Sequence, residues 1–414
     1  MTREIGNLIY ITEGYPPTPG AASVISQCWV KYLRKLGWKV KVVAPFYLGG
    51  KTECSDPEVH WILWKVPFSL PSRISHTLHK NFSPFGRQYF WLEPAVEKIQ
   101  EICRKEPCDL LLASLPPAFY IASRVNQTSH IPYTLIYWDT WTVNPGLKVF
   151  PFHLRWKKAL KNAFVCSLER EILGNAHHIF FHGEQLKNLY LQNFCIPDHK
   201  ATSIDIGFDP EVMETPPGIS PAVAPPLTFI YSGSIPSAVS LPIRTLAGVL
   251  SELGQHERKN FKFYFRVYGN YSSLKKEILH YGLQETIQIL SGWISAKESI
   301  AEVAGKHIAL DLRSEDAYQV PSTKLYIYLG LGKPVLHIGS KDSETARILQ
   351  LTRSGWTIQS GDRKGLRLLL LELLEKFLHQ KPLVTPDFQM IQSFSLPVQC
   401  QKLSEILEHL VSCS

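Results

Sequence analysis

The sequence has no CxxC pair, and its eight cysteines fall at no regular spacing. That excludes a zinc cluster or a disulfide framework and suits a reducing compartment. No run approaches about 18 consecutive apolar residues, so no segment is expected to span a bilayer. The opening MTREIGNLIYI lacks the basic, apolar and small-residue order of a signal peptide. Also missing are GxGxxG, a Walker lysine and HExxH. The histidines, including His177, His178 and His182, are therefore read as structural, and no metal site is expected. Tandem repeats and low-complexity tracts are absent. What these absences leave is a folded cytoplasmic protein, able at most to sit peripherally on the inner face of a membrane.

With 414 residues, 45% apolar and 19% charged, the chain has apolar material for two cores at roughly 100–200 residues per domain. The net charge of +8 is shared by both halves, so no basic stripe of the nucleic-acid-binding kind is present and no nucleic acid partner is expected. Locally the charge is uneven. No acid occurs from Val59 to Leu92, where Lys65, Arg73, Lys80 and Arg87 lie. None occurs from Thr140 to Leu168, against Lys148, Arg155, Lys157, Lys158 and Lys161.

Residues 7–12 (NLIYIT) form an apolar, β-branched run that predicts a buried parallel strand. The turn-rich loop 13–23 (EGYPPTPGAAS) follows. Val24, Ile25, Cys28, Trp29, Tyr32, Leu33 and Leu36 then recur at helical spacing, with Gly37 placed as a C-cap, and 38–45 is the next strand. Together these make one right-handed βαβ unit. Strand-like runs recur at 109–114, 133–138, 178–183 and 201–207, with helical stretches such as 92–104 and 155–173 between them. At 214–226 (ETPPGISPAVAPP) proline rises and charge falls, which reads as a semi-rigid linker. The alternation restarts with strands at 227–234, 262–270, 286–292, 307–313 and 333–339, and helices at 241–253, 296–304, 342–350, 364–379 and 393–412. The expected fold is α/β, two Rossmann-like doubly wound domains facing a cleft. The first occupies 1–213, the linker 214–226 and the second 227–390, and a terminal helix at 391–414 packs back on the first domain. Ligands of open sheets bind outside the carboxyl ends of the strands.

Five segments stand where chemistry would be placed. In the 13–23 loop, backbone N–H groups and a helix start form an anion-friendly concavity, and Gly20 permits close approach; a plain proline-rich turn fits the spacing equally well. In YWDTWTVNP (137–145), Asp139 follows a strand and is either a general base or an Asx-turn former, while Trp138 and Trp141 suit either a sugar face or core packing. A third segment has Arg313 at a strand end, followed by Ser322, Thr323 and Lys324 at a helix start, and suits a diphosphate. An ordinary N-cap is the alternative, weakened because a first-turn lysine opposes the helix dipole. Gly233 in YSGS (231–234) allows close approach to a ligand or simply a βα turn. Last, 148–164 interleaves Phe150, Phe152, Trp156, Leu160 and Phe164 with bases including Arg155, Lys157 and Lys158. It suits an anionic membrane surface or a solvated helix packed on its own domain.

Taken in order, these segments resemble the family-4 (group 1) retaining glycosyltransferases of the GT-B fold. The opening strand, the PPTPGAA loop and its helix resemble that family's P-P-x-x-G-G-x region, with Ala21 in place of a second glycine. SLPPAF (114–119) resembles its S-x-P-P turn, and YWDTWTVNP its D-x-R-D-P-W-T-x-N-P segment. LEREILGNAHHIFFHGEQL (168–186) resembles its E-R helix and strand, and IDIGFDPE (204–211) the turn before its linker. YSGS, RVYGN, the 292–312 stretch and VPSTKLYIYLGLGKPVL continue the same series.

The resemblance implies a nucleotide-sugar donor held mainly by the second domain, a glycan or lipid-linked acceptor on the first, and no required metal or other cofactor. It places Gly20 and Ala21 near the donor diphosphate, Ser322, Thr323 and Lys324 near the diphosphate or ribose, and Asp139 at the acceptor or transferred sugar; Gly233 and Arg313, read from their turn and strand-end positions, join the donor-binding set. The implied role is sugar transfer with retention in cell-surface polysaccharide synthesis. One departure opens another reading. Where the family has a glutamate in K-L-x-E-Y-L for the donor ribose, KLYIYLG has Ile327, which cannot accept those hydrogen bonds. A catalytically inactive GT-B-shaped protein that partners another glycosyltransferase therefore stands as the alternative.

Overall fold

The computed structural model describes residues 4–18, 20–47, 56–64, 90–143, 155–213, 219–235 and 240–412. It divides into two compact units, Met1–Ile206 with Leu396–Ser414, and Gly207–Ser395.

In the first unit, β1 (Gly6–Thr12), α1 (Ala21–Leu36) and β2 (Trp38–Tyr47) make the expected βαβ unit. They are followed by β3 (Val59–Trp64), α2 (Leu92–Lys105), β4 (Leu110–Ser114), α3 (Pro116–Ser129) and β5 (Tyr133–Tyr137). Then come α4 (Arg155–Asn175), β6 (His178–His182), α5 (Glu184–Asn193) and β7 (Ala201–Ile204). Among the described residues the sheet runs β3-β2-β1-β4-β5-β6-β7, every pairing parallel. β4, β5 and β6 are buried along their whole length, as strands covered by helices on both faces must be. Helix α1 ends where Gly37, at φ 109°, turns its N–H back to Arg34 O and Leu33 O, a left-handed cap that glycine adopts without strain.

The second unit contains β8 (Leu227–Ser232), α6 (Ser240–Glu252), α7 (Gln255–Arg258), β9 (Phe261–Val267), α8 (Ser272–His280) and β10 (Ile287–Ser291). It continues with α9 (Ala296–Ala304), β11 (Ile308–Leu312), α10 (Thr323–Gly330), β12 (Val335–Gly339) and α11 (Glu344–Thr352). β13 (Gly355–Gln359), α12 (Arg363–Leu378) and α13 (Phe388–Ser393) complete it. The strand order is β10-β9-β8-β11-β12-β13, again parallel throughout, which is the doubly wound 3-2-1-4-5-6 order. Its core joins Leu227, Phe229 and Tyr231 of β8 to Phe263 and Phe265 of β9 and Leu366 and Leu370 of α12. Side-chain caps start several helices here. Ser295 and Glu298 form a reciprocal capping box at α9, Ser343 caps α11 and Asp362 caps α12.

Each sheet also has an edge strand that the pattern reading did not anticipate, β3 and β13. β13 buries only Ile358 fully, so its apolar signal is weak. SLPPAF is not merely a turn but the entry to α3, with proline in its first turn, where a missing N–H is harmless.

The units divide at Ile206/Gly207, ahead of the expected 213/214. Phe208, 3% exposed, bridges to Ser395 and takes its N–H to Phe394 O at 3.2 Å. It lies so close to Gly330 that a Cβ there would stand 2.8 Å from its ring. Residues 214–218 of the expected linker lie outside the described residues. The expected terminal helix resolves into α13, in the second unit, and α14 (Leu396–Ser412), in the first. α14 is fastened there by Trp38 Nε1 to Ser404 Oγ (2.8 Å), Asp205 N to Gln399 Oε1 (2.8 Å) and Lys402 Nζ to Ser203 O (2.7 Å).

Candidate functional site

In the second sheet the winding direction reverses between β8 and β11, and such a switch point opens a crevice outside the strand ends. Gly233 follows β8 there and Arg313 follows β11. Gly233 has φ 141° and ties its N–H to Arg266 O at 2.9 Å. A Cβ at this position would fall 2.9 Å from Lys324 Nζ and nearer still to Cε. The absence of a side chain at 233 thus makes the space in which the ammonium of Lys324 lies. Lys324 Nζ donates to Tyr231 Oη at 3.0 Å and sits 4.4 Å from the centre of its ring; Tyr231 in turn donates to Ser234 O at 2.6 Å. Gly233 and Lys324, distant in sequence, therefore form one cationic lip on the βα turn.

Ser322 is the N-cap of α10, with Thr323 and Lys324 as its first helical residues. Its side chain makes no cap hydrogen bond but donates to Asp311 Oδ1 at 2.7 Å. The helix N–H groups are thereby not capped by their own serine. Arg313 turns inward instead of out to a ligand: its guanidinium donates to Val320 O at 2.6 Å and Ala317 O at 3.3 Å. It braces the loop leading into α10. Ile327 is half-buried on α10.

Beneath this loop lies a group that the sequence reading passed over. Asp311 on β11 and His337 on β12 are register partners and both are buried. Asp311 Oδ2 meets His337 Nδ1 at 2.8 Å, and His337 Nε2 meets Ser343 Oγ at 3.1 Å. Burial works to raise the Asp311 carboxyl. The hydrogen bond and charge of His337, with the Arg313 charge and the Ser322 hydroxyl, more than offset it and hold the group well below its ordinary value. The signal was present, since an ionisable residue inside each of two adjacent apolar strands requires a partner.

In the first unit, Gly20 is the N-cap of α1 with φ 135°, and a Cβ there would meet nothing within 4 Å. Glycine is needed at 20 for its backbone angle, not for crowding. Both Gly20 and Ala21 are exposed at the carboxyl edge of β1. The loop before them is anchored by Tyr15, 4% exposed, and by Thr12, which exchanges hydrogen bonds with Gly14.

Asp139 follows β5 and is exposed, with Oδ1 accepting the Thr140 N–H at 2.7 Å. Trp138 is buried against Trp29, ring centres 5.3 Å apart, and Trp141 is half-buried with its ring edge-on to Phe119 at 6.3 Å. What shapes this segment is Glu169 of α4, a fully buried carboxylate. It accepts from Tyr137 Oη (3.0 Å), Tyr190 Oη (2.9 Å), Thr142 N (3.2 Å) and the Thr142 hydroxyl. Tyr190 Oη also takes the Trp141 N–H at 2.9 Å. Burial raises the Glu169 carboxyl against the pull of those donors, and burial followed by the Glu169 charge raises both tyrosines well above their usual range. In the sequence Glu169 belongs only to the E-R helix, with nothing linking it to Asp139.

Of the basic aromatic segment, Phe150 lies outside the described residues, as do the side chains of Arg155, Trp156, Lys157 and Lys158 at the start of α4. No helix among the described residues is long and apolar enough to cross a membrane.

Residues 24–212 match the family model described as Glycosyltransferase Family 4. No curated protein matches the sequence. Among solved structures, a sucrose-phosphate synthase from Thermosynechococcus elongatus is similar at a TM-score of 0.67 and 13% identity, covering 100% of both chains. Anabaena HepE in complex with UDP and glucose is similar at 0.68 and 14% identity, covering 98% of this chain and 100% of that one. A glycosyltransferase from Rickettsia africae ESF-5 gives 0.67 and 15% identity, covering 99% and 100%. At such identities the likeness establishes the fold, two Rossmann-like domains of the GT-B type.

Proposed function

We propose that this chain, whose residues 24–212 match the model of Glycosyltransferase Family 4, moves a sugar from a nucleotide-sugar donor to a glycan or lipid-linked acceptor. The observation that carries the reading is the Lys324 ammonium lying over Gly233 at the switch point of the second sheet, beside the start of α10. A diphosphate there meets a cation and helix N–H groups together, the combination that stabilises a leaving diphosphate without a divalent ion. HepE was seen with UDP and glucose, so a uridine donor is the first to test here.

On this reading the transfer proceeds with retention at the anomeric carbon, with Asp139 at the acceptor or transferred sugar and Gly20 and Ala21 facing the donor diphosphate. The product is a cell-surface polysaccharide or glycolipid. The acid-free basic segments would hold the first domain on the cytoplasmic face of an anionic membrane. The test is a thermal-shift panel of nucleoside diphosphates and nucleotide sugars in EDTA, followed by product analysis with lipid-linked acceptors. Stabilisation by one nucleoside diphosphate supports the reading; silence across the panel counts against it.

Ile327 favours a second reading. The half-buried isoleucine on α10 offers no acceptor to a ribose, and loss of a charged hydrogen-bond partner costs about 1.5–3 kcal/mol. A GT-B-shaped protein that supports a partner glycosyltransferase without turnover would show no donor hydrolysis and no transfer with any acceptor.

A further inference from the structure

In the core of the second unit, aromatic side chains of β8 and β9 lie in register, Phe229 beside Phe263 and Tyr231 beside Phe265. Phe229 and Phe263 stack with ring centres 4.4 Å apart, and Tyr231 meets Phe265 at 5.7 Å. Packing at these positions asks only for a ring, and phenylalanine supplies it at 229, 263 and 265. Tyr231 alone carries a hydroxyl, one residue before the end of β8, in a residue only 1% exposed. A hydroxyl at that depth costs desolvation unless both its proton and its oxygen find partners.

Its partners give it a direction. The phenol donates its proton to Ser234 O at 2.6 Å, which leaves the oxygen lone pairs to accept the Lys324 ammonium at 3.0 Å. The ammonium also stands 4.4 Å from the ring centre, within the range of attraction to an aromatic face. A lysine ammonium has three donors, so Tyr231 takes one and the positive charge is kept. Ser234 O belongs to the turn after Gly233, so the one hydroxyl ties that turn to a side chain of α10. The flexible stem of a lysine loses rotamer freedom when an anion orders it. A lysine already held in place loses less, and such preorganisation adds affinity.

We propose that Tyr231 is a positioning residue whose hydroxyl holds the Lys324 ammonium ready for a diphosphate. The pairing of the two side chains stands on the geometry; the diphosphate rests on the proposed transfer. Tyr231 acts through Lys324 and not by touching the donor. Its removal therefore has a distinct signature, a loss of diphosphate affinity that exists only while Lys324 is present.

The test compares full-length wild type, Tyr231→Phe, Lys324→Ala and the double variant. Phenylalanine keeps the ring against Phe265 and removes only the hydroxyl. Without nucleotide, acetylation of Lys324 by acetic anhydride is followed by mass spectrometry, relative to the exposed Lys381. In Tyr231→Phe it is expected to run about 2- to 10-fold faster, the equivalent of one lost hydrogen bond. Calorimetric titration with UDP in EDTA is expected to show affinity weakened by a similar factor in Tyr231→Phe. Added to Lys324→Ala, the same substitution is expected to cost nothing further. Equal acetylation of Lys324 in wild type and Tyr231→Phe overturns the proposal. So does unchanged UDP affinity in Tyr231→Phe, or an equal loss in the Lys324→Ala background, and either leaves the proposed transfer standing. A wild type silent to every nucleoside diphosphate overturns the proposed transfer and the positioning role together.

Discussion

The ammonium of Lys324 and the missing side chain of Gly233 occupy the same place: a Cβ at 233 would stand 2.9 Å from Lys324 Nζ. Gly233→Ala must therefore push the lysine off its position over Tyr231, and it adds backbone strain at φ 141°, together costing about 1–3 kcal/mol. The variant is expected to bind nucleoside diphosphate about as poorly as Lys324→Ala does. Calorimetric titration checks this, and wild-type affinity in Gly233→Ala would show that the lysine's place over the turn is immaterial.

Glu169 and Asp139 separate structure from chemistry in the first unit. Glu169→Gln turns an amide NH2 toward donors that now find a carboxylate oxygen. The expected loss is about 1–3 kcal/mol in denaturant unfolding. Asp139 is exposed, so Asp139→Asn should change stability by no more than about 0.5 kcal/mol while lowering turnover. An unchanged unfolding midpoint in the first variant, or unchanged turnover in the second, would remove the respective assignment.

Asp311 makes a pH-dependent contribution. Its carboxyl is held below the ordinary value in the folded protein, so its stabilisation is fully present above the unfolded value of about 3.9. It is lost as pH falls from there toward the depressed folded value. Asp311→Asn, which breaks a buried pair, is expected to cost about 3–5 kcal/mol near neutrality. The gap between variant and wild type should shrink as pH falls below about 4, measured as unfolding free energies. A gap independent of pH down to the acid limit would contradict the pairing with His337.

Much of this architecture could be read from pattern. Continuous apolar runs such as LLLAS and HIFFH are what doubly covered parallel strands require, and their alternation with helical spacing specifies winding. β13 carries little pattern because an edge strand needs less apolar surface, and residues 207–213 join the second unit, where Phe208 packs on Gly330 of α10. Of the candidate residues, Gly233 and Lys324 stood in recognisable turn and helix-start positions, but their contact could not be inferred before folding. The roles of Glu169 and of Asp311 with His337 are long-range, set by which strand lies beside which. Arg313 stands at a strand end, where a ligand contact is legible from pattern, but its bonds to the Ala317 and Val320 carbonyls of its own loop depend on the loop's folded path.

Salt should release the protein from membranes if the basic segments act there. Binding to anionic liposomes is expected at low ionic strength and dissociation at several hundred millimolar salt, as screening shortens the reach of charge from about 10 Å at 0.1 M to about 3 Å at 1 M. Sedimentation with liposomes of graded anionic content measures it. Equal binding to neutral and anionic vesicles would count against an electrostatic contact.

The central claim is that the second unit receives a diphosphate through Lys324 at the β8 turn. Titration of wild type and Lys324→Ala with UDP in EDTA, by calorimetry, tests it most directly. Saturable binding is expected for the wild type, with affinity weakened about 10–100-fold in the variant, the equivalent of roughly 1.5–3 kcal/mol. Equal affinity in both proteins would contradict it.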